Sequence, residues 1–536
     1  MLRTDLDPPV WDEVEAVGPR WYPTLIALHD GGALVAGHSG LPHFDIDEQR
    51  RRFTLAPAPQ FGDIGDWSPL ITNLRELPPQ PCGQGFETIF CPGEGCWELF
   101  DNVFGLRDYP RLHLLSTGQV MYVDGAANAV GGAQQRSWFL NVDPLVPPDC
   151  PSDPDNPWHW RAGTVGPGLA YHAGGNSVHM LTQLKPPVAG RFQETLYLVG
   201  GTQHGEDDRP CPCNGKAPTR VMQRLTRMTD PDATSPSQPG PDGPWTGVAW
   251  ESSGTDPNAA GAGPKAMRRT RVNCNTVVLP TGEFVTVGGT GLDDDAGTEP
   301  CDPVNPCEDP PTDDANFQSV INPSAYGCVH RKAAEIYRPN EVFAAQWPAS
   351  GTPPEQPGWM LLASQQHKRQ YHSVAFLLPD GSVGSAGGTY QRKDLVEGVC
   401  QQVEDHRYSV ELYKPWYFFA GQRPAIVGQS WSGSVEWGQT PVPSINVSVR
   451  QGLSIKRLAL VRNASVTHAF DSNQRYIEPE IVQSTIVSGP GSTWRVEFKV
   501  PASGFLAPPG WYMVFAIDEL DRPSLATWLH ISVPQS

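Results

Sequence analysis

The chain has 536 residues, among them 54 glycines and 56 prolines, and a formal net charge of −19. That charge, with no Lys/Arg-rich run, argues against a nucleic-acid or anionic-membrane partner, and no stretch of about 18 apolar residues is present to span a bilayer. A turn-rich composition that also carries 17 Trp, 19 Phe and 14 Tyr argues against disorder and predicts many short strands joined by long loops.

The opening residues, MLRTDLDPPVWDEV, hold no apolar signal-peptide core. Either the protein is cytoplasmic or its native N-terminus lies upstream of this chain. Next comes a recurring phrase: LHDGGALVAGHSG (28–40), LSTGQVMYVDGAA (115–127), LPTGEFVTVGGTG (279–291) and LPDGSVGSAGGTY (378–390). In each, an apolar strand meets a short turn with glycine, and a second apolar strand ends in glycine. A looser copy runs from AYHAGGNSVHML (170–181) to ETLYLVGGTQ (194–203), split by a proline-rich insertion. Repeated hairpins ending in Gly-Gly predict kelch-type β-propeller blades over residues 1–420, of which five are visible. The loops at 202–266 and 291–330 are the largest, and both contain cysteines.

Beyond RPAIVGQS (423–430) the Gly-Gly endings stop. Segments such as VPSINVSVR, RLALVRN, WRVEFKV, WYMVFAI and ATWLHISV alternate in period two between turns. Residues 421–536 therefore read as a separate antiparallel sandwich of immunoglobulin-like type. The fold class is all-β, since no segment sustains a 3.6-residue apolar period.

Most of the 11 cysteines sit in loop sequence such as PCGQGFETIFCPGEGC and RPCPCNGK. Loop cysteines predict disulfide staples and an oxidising compartment. Paired C-x₂-C motifs of a zinc site are absent, and an odd count leaves at least one thiol without an internal partner.

Three phrases carry candidate chemistry. PRWYPTLIALHDG places Tyr22 at the start of the first clear blade strand. RQYHSVAFLLPDG places Tyr371 and His372 at the same position in the last blade, and SVTHAFDSNQR places His468 at a turn of the C-terminal sandwich. Each alone has an ordinary reading, as an amphipathic rim tyrosine or a solvated histidine. In a propeller, however, equivalent strand starts converge on one channel mouth, and a C-terminal loop can reach it. Two imidazoles and two phenols form an N/O donor set suited to Cu(II). Adjacent strand residues point to opposite faces, so Tyr371 and His372 can share one ion only if the strand begins there.

The phrases RWYPT, YPRLHLLSTGQ, NCNTVVLPTGEFVTVGG, RQYHSVAFLLPDG and THAFDSNQR, in this order, resemble the galactose oxidase and glyoxal oxidase family of copper-radical oxidases, and the wording lies closer to the glyoxal oxidase branch. The ending PPGWYMVFAIDELDRPSLATWLHI is similar to the end of that family's C-terminal (early-set) domain. The resemblance implies a seven-bladed propeller and one copper ion held by Tyr22, Tyr371, His372 and His468. Within that set it implies Tyr371 as the proton acceptor and Tyr22 as the site of a tyrosyl radical. It also implies a small-molecule alcohol, aldehyde or carbohydrate substrate, O₂ as oxidant, H₂O₂ as product and secretion from the cell. In the family a thioether joins the radical tyrosine to an upstream cysteine, and no cysteine precedes Tyr22 here. Three explanations follow: a missing N-terminal segment, which is the favoured expectation, a partner chain completing the propeller, or a smaller closed ring that has lost oxidase activity. Without that cysteine, copper binding is expected to be kept and turnover reduced. The other reading is a non-catalytic carbohydrate- or protein-binding kelch propeller. Asn446 (NVS) and Asn463 (NAS) match the glycosylation acceptor motif.

Overall fold

Period-two apolar runs between glycine turns give strands throughout. The structure, a computed structural model, describes residues 2–3, 10–11, 21–29, 31–38, 51–55, 73–74, 111–123, 136–141, 161–165, 176–183, 192–201, 220–228, 250–253, 263–292, 328–339, 358–396, 399–488 and 493–534. Among the described residues the fold is all-β, and the one helical piece is a 3-10 turn at Trp416–Phe418. None of their helices is long and apolar enough to cross a membrane.

All five predicted hairpins form. Strand β1 (Trp21–Ala27) pairs antiparallel with β2 (Gly32–His38), and β3 (Leu112–Leu114) with β4 (Gln119–Tyr122). The same holds for β5 (Asn176–Gln183) with β6 (Phe192–Val199), for β7 (Asn275–Val278) with β8 (Phe284–Val287), and for β9 (Ser373–Leu377) with β10 (Val383–Gly387). Further antiparallel strands extend each hairpin, such as Ala333–Arg338 beside β8 and Val410–Tyr413 beside β10. Leading strands lie next to one another, β5 against β7, β7 against β9, and β1 against β3. This is how propeller blades pack.

The Gly-Gly endings mark places where neighbouring sheets touch backbone to backbone. Gly288 and Gly289 have φ of 69° and 86°. A Cβ there would sit 2.7 Å from the Arg369 carbonyl oxygen and 2.5 Å from that of Val272. Only glycine satisfies both the left-handed backbone and the close approach.

Two buried arginines fasten these junctions in the same way. Ahead of β7, Arg271 donates from Nε to Glu335 (3.0 Å) and from Nη1 to the Gly288 carbonyl (2.8 Å), and its own carbonyl accepts the Gly201 N–H at 2.7 Å. Ahead of β9, Arg369 donates from Nε to Glu411 (3.1 Å) and from Nη1 to the Gly387 carbonyl (2.7 Å), and its carbonyl accepts the Gly289 N–H at 2.7 Å. In both, a guanidinium ties the lead-in segment to the third strand of its own sheet while the backbone binds the previous sheet. Arg369 thereby fixes the segment that runs straight into Tyr371 and His372.

In the C-terminal part, β11 (Ser444–Ser448), β12 (Ile455–Arg462), β13 (Val466–Thr467), β14 (Phe470–Asp471), β15 (Tyr476–Ile477), β16 (Thr493–Phe498), β17 (Gly510–Asp518) and β18 (Thr527–Ser532) form a two-sheet sandwich with a small hairpin, β13–β14, projecting from it. The sandwich is not separate from the propeller-type part. Short β15 pairs parallel with β5 (Met180↔Tyr476, Leu181↔Ile477) and antiparallel with β12, so one nine-stranded sheet runs through both.

The alternation of that sheet explains the fusion. On β12 and β17, Leu458, Leu460, Val514 and Ala516 face the sandwich core with Val447 and Phe498. The intervening Ala459, Val461, Met513, Phe515 and Ile517 join the core of the blade-like sheets with Val277, Phe284 and Tyr337. A sheet covered on both faces reads as a continuous apolar run, and WYMVFAI is one. Cys274 is a free, fully buried thiol, pushed up to about 11 by burial. The disulfide expectation otherwise falls on cysteines whose side chains lie outside the described residues, as do most of the two large loops.

Candidate metal centre

The strand β9 begins at Ser373, so Tyr371 and His372 precede its alternation. His372 has φ of 61°, a left-handed turn that swings its ring to the same side as Tyr371. Their ring centroids are 3.9 Å apart with planes at 33°. The requirement that the strand only start here is met by the backbone itself.

His468 arrives from the other side. β13 and β14 form a hairpin whose register pairs Thr467 with Phe470, leaving His468 and Ala469 as a two-residue turn. Their φ values are 48° and 63°, the two left-handed residues of a type I′ turn, which ordinarily takes Asn-Gly. Non-glycine residues in that conformation cost about 1–2 kcal/mol each, so neighbours must hold the turn. The Asp471 carboxylate does part of this, accepting the N–H of Ser465 at 2.8 Å and of Asn473 at 3.1 Å. Arg475 does more: it is buried and donates to the carbonyls of Phe505 and Leu506 at 3.0 Å each, and to that of Leu114.

The turn brings the His468 ring to 4.7 Å from that of His372, at 90°, and to 5.2 Å from that of Tyr371. One phenol and two imidazoles thus meet at one point. His372 is exposed and the other two are half-buried, so the cluster opens to solvent. Tyr22 lies on β1, but its side chain is outside the described residues.

The electrostatics suit a ligand role. Burial, then the neighbouring His372 and Arg111, lower His468 to about 4, so its imidazole is neutral at pH 7. Its Nδ1 shares a hydrogen bond with the Thr467 hydroxyl at 2.6 Å, which assigns ligation to Nε2. The donor set of two imidazoles and a phenol fits a borderline ion such as Cu(II). Among the described residues no cluster of three or more His, Cys, Asp or Glu offers a rival metal site.

The sequence reading did not find Arg111 and His113. They stand two apart on or beside β3, inside the YPRLHLL phrase, and both are buried. The guanidinium of Arg111 lies 6.0 Å from the centroid of the Phe470 ring, and the His113 ring meets Phe470 edge-on at 5.7 Å. Two polar residues at spacing i, i+2 in an otherwise apolar strand were the available signal.

Comparison with known proteins finds a family model, sequence relatives and a solved structure. Residues 423–531 match the family model described as galactose oxidase-like, Early set domain. An aldehyde oxidase GLOX of Vitis pseudoreticulata is 26% identical over 266 residues, which cover 49% of this chain and 41% of that protein. A galactose oxidase of Gibberella zeae is 27% identical over 169 residues, covering 31% of this chain and 22% of that protein. The chain therefore aligns with less than half the length of either relative. Among solved structures, a fungal alcohol oxidase in complex with copper superposes with a TM-score of 0.49 at 16% identity, covering 96% of this chain and 76% of that one.

Proposed function

We propose, from the premise that this chain belongs to the galactose oxidase and glyoxal oxidase family, that it is an extracellular copper-dependent oxidase of a primary alcohol or an aldehyde. For an alcohol the balance is RCH₂OH + O₂ → RCHO + H₂O₂, and for a hydrated aldehyde the product is the acid. The observation that supports this reading is the convergence of Tyr371, His372 and His468 from two distant hairpins.

In this reading Nε2 of His468 and the His372 imidazole hold the ion, with Tyr371 beside them and Tyr22 as the fourth member and the radical site. Bound copper supplies a one-electron redox couple next to a redox-active tyrosine. As the phenolate, which a bound cation would favour, Tyr371 would take the hydroxyl proton of the substrate and become the phenol, so acting as the general base. The exposed flank of His372 gives a small molecule access to that oxygen. The lowered basicity of His468 keeps it from competing for the proton at neutral pH. The residues of propeller 1–420 and sandwich 421–536 then divide the labour, the first supplying the phenols and one imidazole, the second the other imidazole.

The test is copper content together with peroxide release across small primary alcohols, glyoxal-type aldehydes and galactose. Copper binding with peroxide formed in step with substrate oxidation supports the reading. A copper-loaded protein that releases no peroxide with any of these classes would sink it.

A further inference from the structure

The turn that carries His468 is left-handed at two non-glycine residues, and the side chain that directly follows it packs against the start of β3. Phe470 follows the turn directly and is buried. Its ring is held between Arg111, 6.0 Å from the centroid, and His113, edge-on at 5.7 Å. His113 is itself packed edge-on against His179 at 5.9 Å. The neutral His179 ring donates from Nε2 to the Glu194 carboxylate at 2.7 Å, and Glu194 also accepts the Ser116 N–H at 3.0 Å and its hydroxyl. Ser116 is half-buried, the other groups are buried, and Glu194 is 0% exposed. Burial, then the neighbouring His179, Arg475 and Arg111, holds His113 well below its ordinary value, so its ring is a neutral wedge.

We infer that the Arg111–Phe470–His113 clamp, braced by His179 and Glu194, is the device that sets the position of His468. Arg111, His113 and Phe470 are positioning residues, since the role assigned to each acts through the turn. Two observations carry this independently of each other. The turn adopts a conformation that its own residues disfavour, so it needs an external hold. The clamp grips the residue that immediately follows the turn, and it is anchored in a different sheet through a chain of buried polar contacts. A packed aromatic ring between a guanidinium and an imidazole edge resists the rotation that would release Ala469 into a right-handed backbone. Among the described residues the buried His113 Nε2 has no hydrogen-bond partner, so the ring acts here through its packing against Phe470 and His179.

The copper part of this inference rests on His468 being a ligand, as proposed above; the clamp itself does not. The experiment separates them. Amide hydrogen exchange of the metal-free protein is measured over residues 465–473 for wild type, His113→Leu and the gentler Phe470→Leu, and Cu(II) is titrated into each with electron paramagnetic resonance as the second readout. The expected result is faster exchange confined to 465–473 in both variants, with Cu(II) affinity weakened roughly 10- to 100-fold, the usual size of an outer-shell effect, and nitrogen coupling from one imidazole lost. Adding Ala469→Gly, which removes the backbone penalty, restores part of the affinity. Unchanged exchange at 465–473 in a folded Phe470→Leu protein overturns the clamp. Localised faster exchange with no Cu(II) binding in wild type leaves the clamp standing and overturns the copper reading instead.

Discussion

His372 and His468 face each other with ring planes at 90° and centroids 4.7 Å apart, and both have left-handed backbones, φ 61° and 48°. Each is delivered by its own hairpin, and each is anchored by a buried arginine in the same segment, Arg369 for the first and Arg475 for the second. Strain at two facing residues that the surrounding structure over-determines is what a pre-organised centre requires.

Tyr371 is assigned the proton-accepting role, so Tyr371→Phe should leave the imidazoles in place and remove the acceptor. Peroxide release should fall by about two or more orders of magnitude, the usual size of a general-base contribution, while Cu(II) is still bound. Retained turnover in this variant would reassign the base.

The Arg271–Glu335 pair is 0% exposed on both sides and joined at 3.0 Å. Its carboxylate also accepts the Arg268 N–H at 2.7 Å. Glu335→Ala leaves a buried guanidinium uncompensated and should cost about 3–5 kcal/mol, read as a lower urea midpoint. A change under about 1 kcal/mol would mean that the repeated arginine anchor does not hold the sheets together.

The two faces of β17 serve different cores. Phe515→Ala, on the face toward the blade-like sheets, should destabilise by about 3–5 kcal/mol. The loss should appear as faster exchange in both β7–β8 and β17, because both line that cluster. Exchange changes confined to the sandwich would show that the two cores are independent.

Acid titration separates two groups beside the turn. His468 is lowered to about 4, so between about 4 and its ordinary 6.5 the unfolded chain binds the extra proton, and stability falls as pH falls through that window. Burial raises Asp471 from 3.8 to about 6, so there the folded chain holds the extra proton, and stability rises as pH falls. The two oppose each other. Asp471→Asn keeps an acceptor oxygen for Ser465 and Asn473 and removes only the second effect. The difference in unfolding free energy, variant minus wild type, should grow as pH rises from about 4 to 6. A flat difference would show that Asp471 does not titrate there.

Much of this was legible in the residues. The glycine-ended hairpins announced β1–β10 because a φ > 0 turn and a sheet-to-sheet contact both demand glycine. Tyr371, His372 and His468 could be named because polar rings stand at strand starts and at a turn in otherwise apolar phrases. The fusion of the two halves could not be read, since period-two alternation in WYMVFAI does not say that both faces are covered, nor that the two-residue Tyr476–Ile477 strand pairs with β5. Arg271 and Arg369 escaped notice because their partners, Glu335 and Glu411, are far along the chain and only tertiary structure joins them. His113 was hidden for the same reason: its contacts are to Phe470 and His179, which local pattern does not connect.

The central claim is that the ring cluster is a copper centre, and metal stoichiometry tests it most directly. Copper per chain should be measured after Cu(II) loading and dialysis, for wild type and for His372→Ala with His468→Ala, alongside the paramagnetic resonance spectrum. One copper per wild-type chain with coupling to two imidazole nitrogens, lost in the double variant, is the predicted result. A wild-type chain that retains no copper, or a double variant that retains it with an unchanged spectrum, would contradict the account.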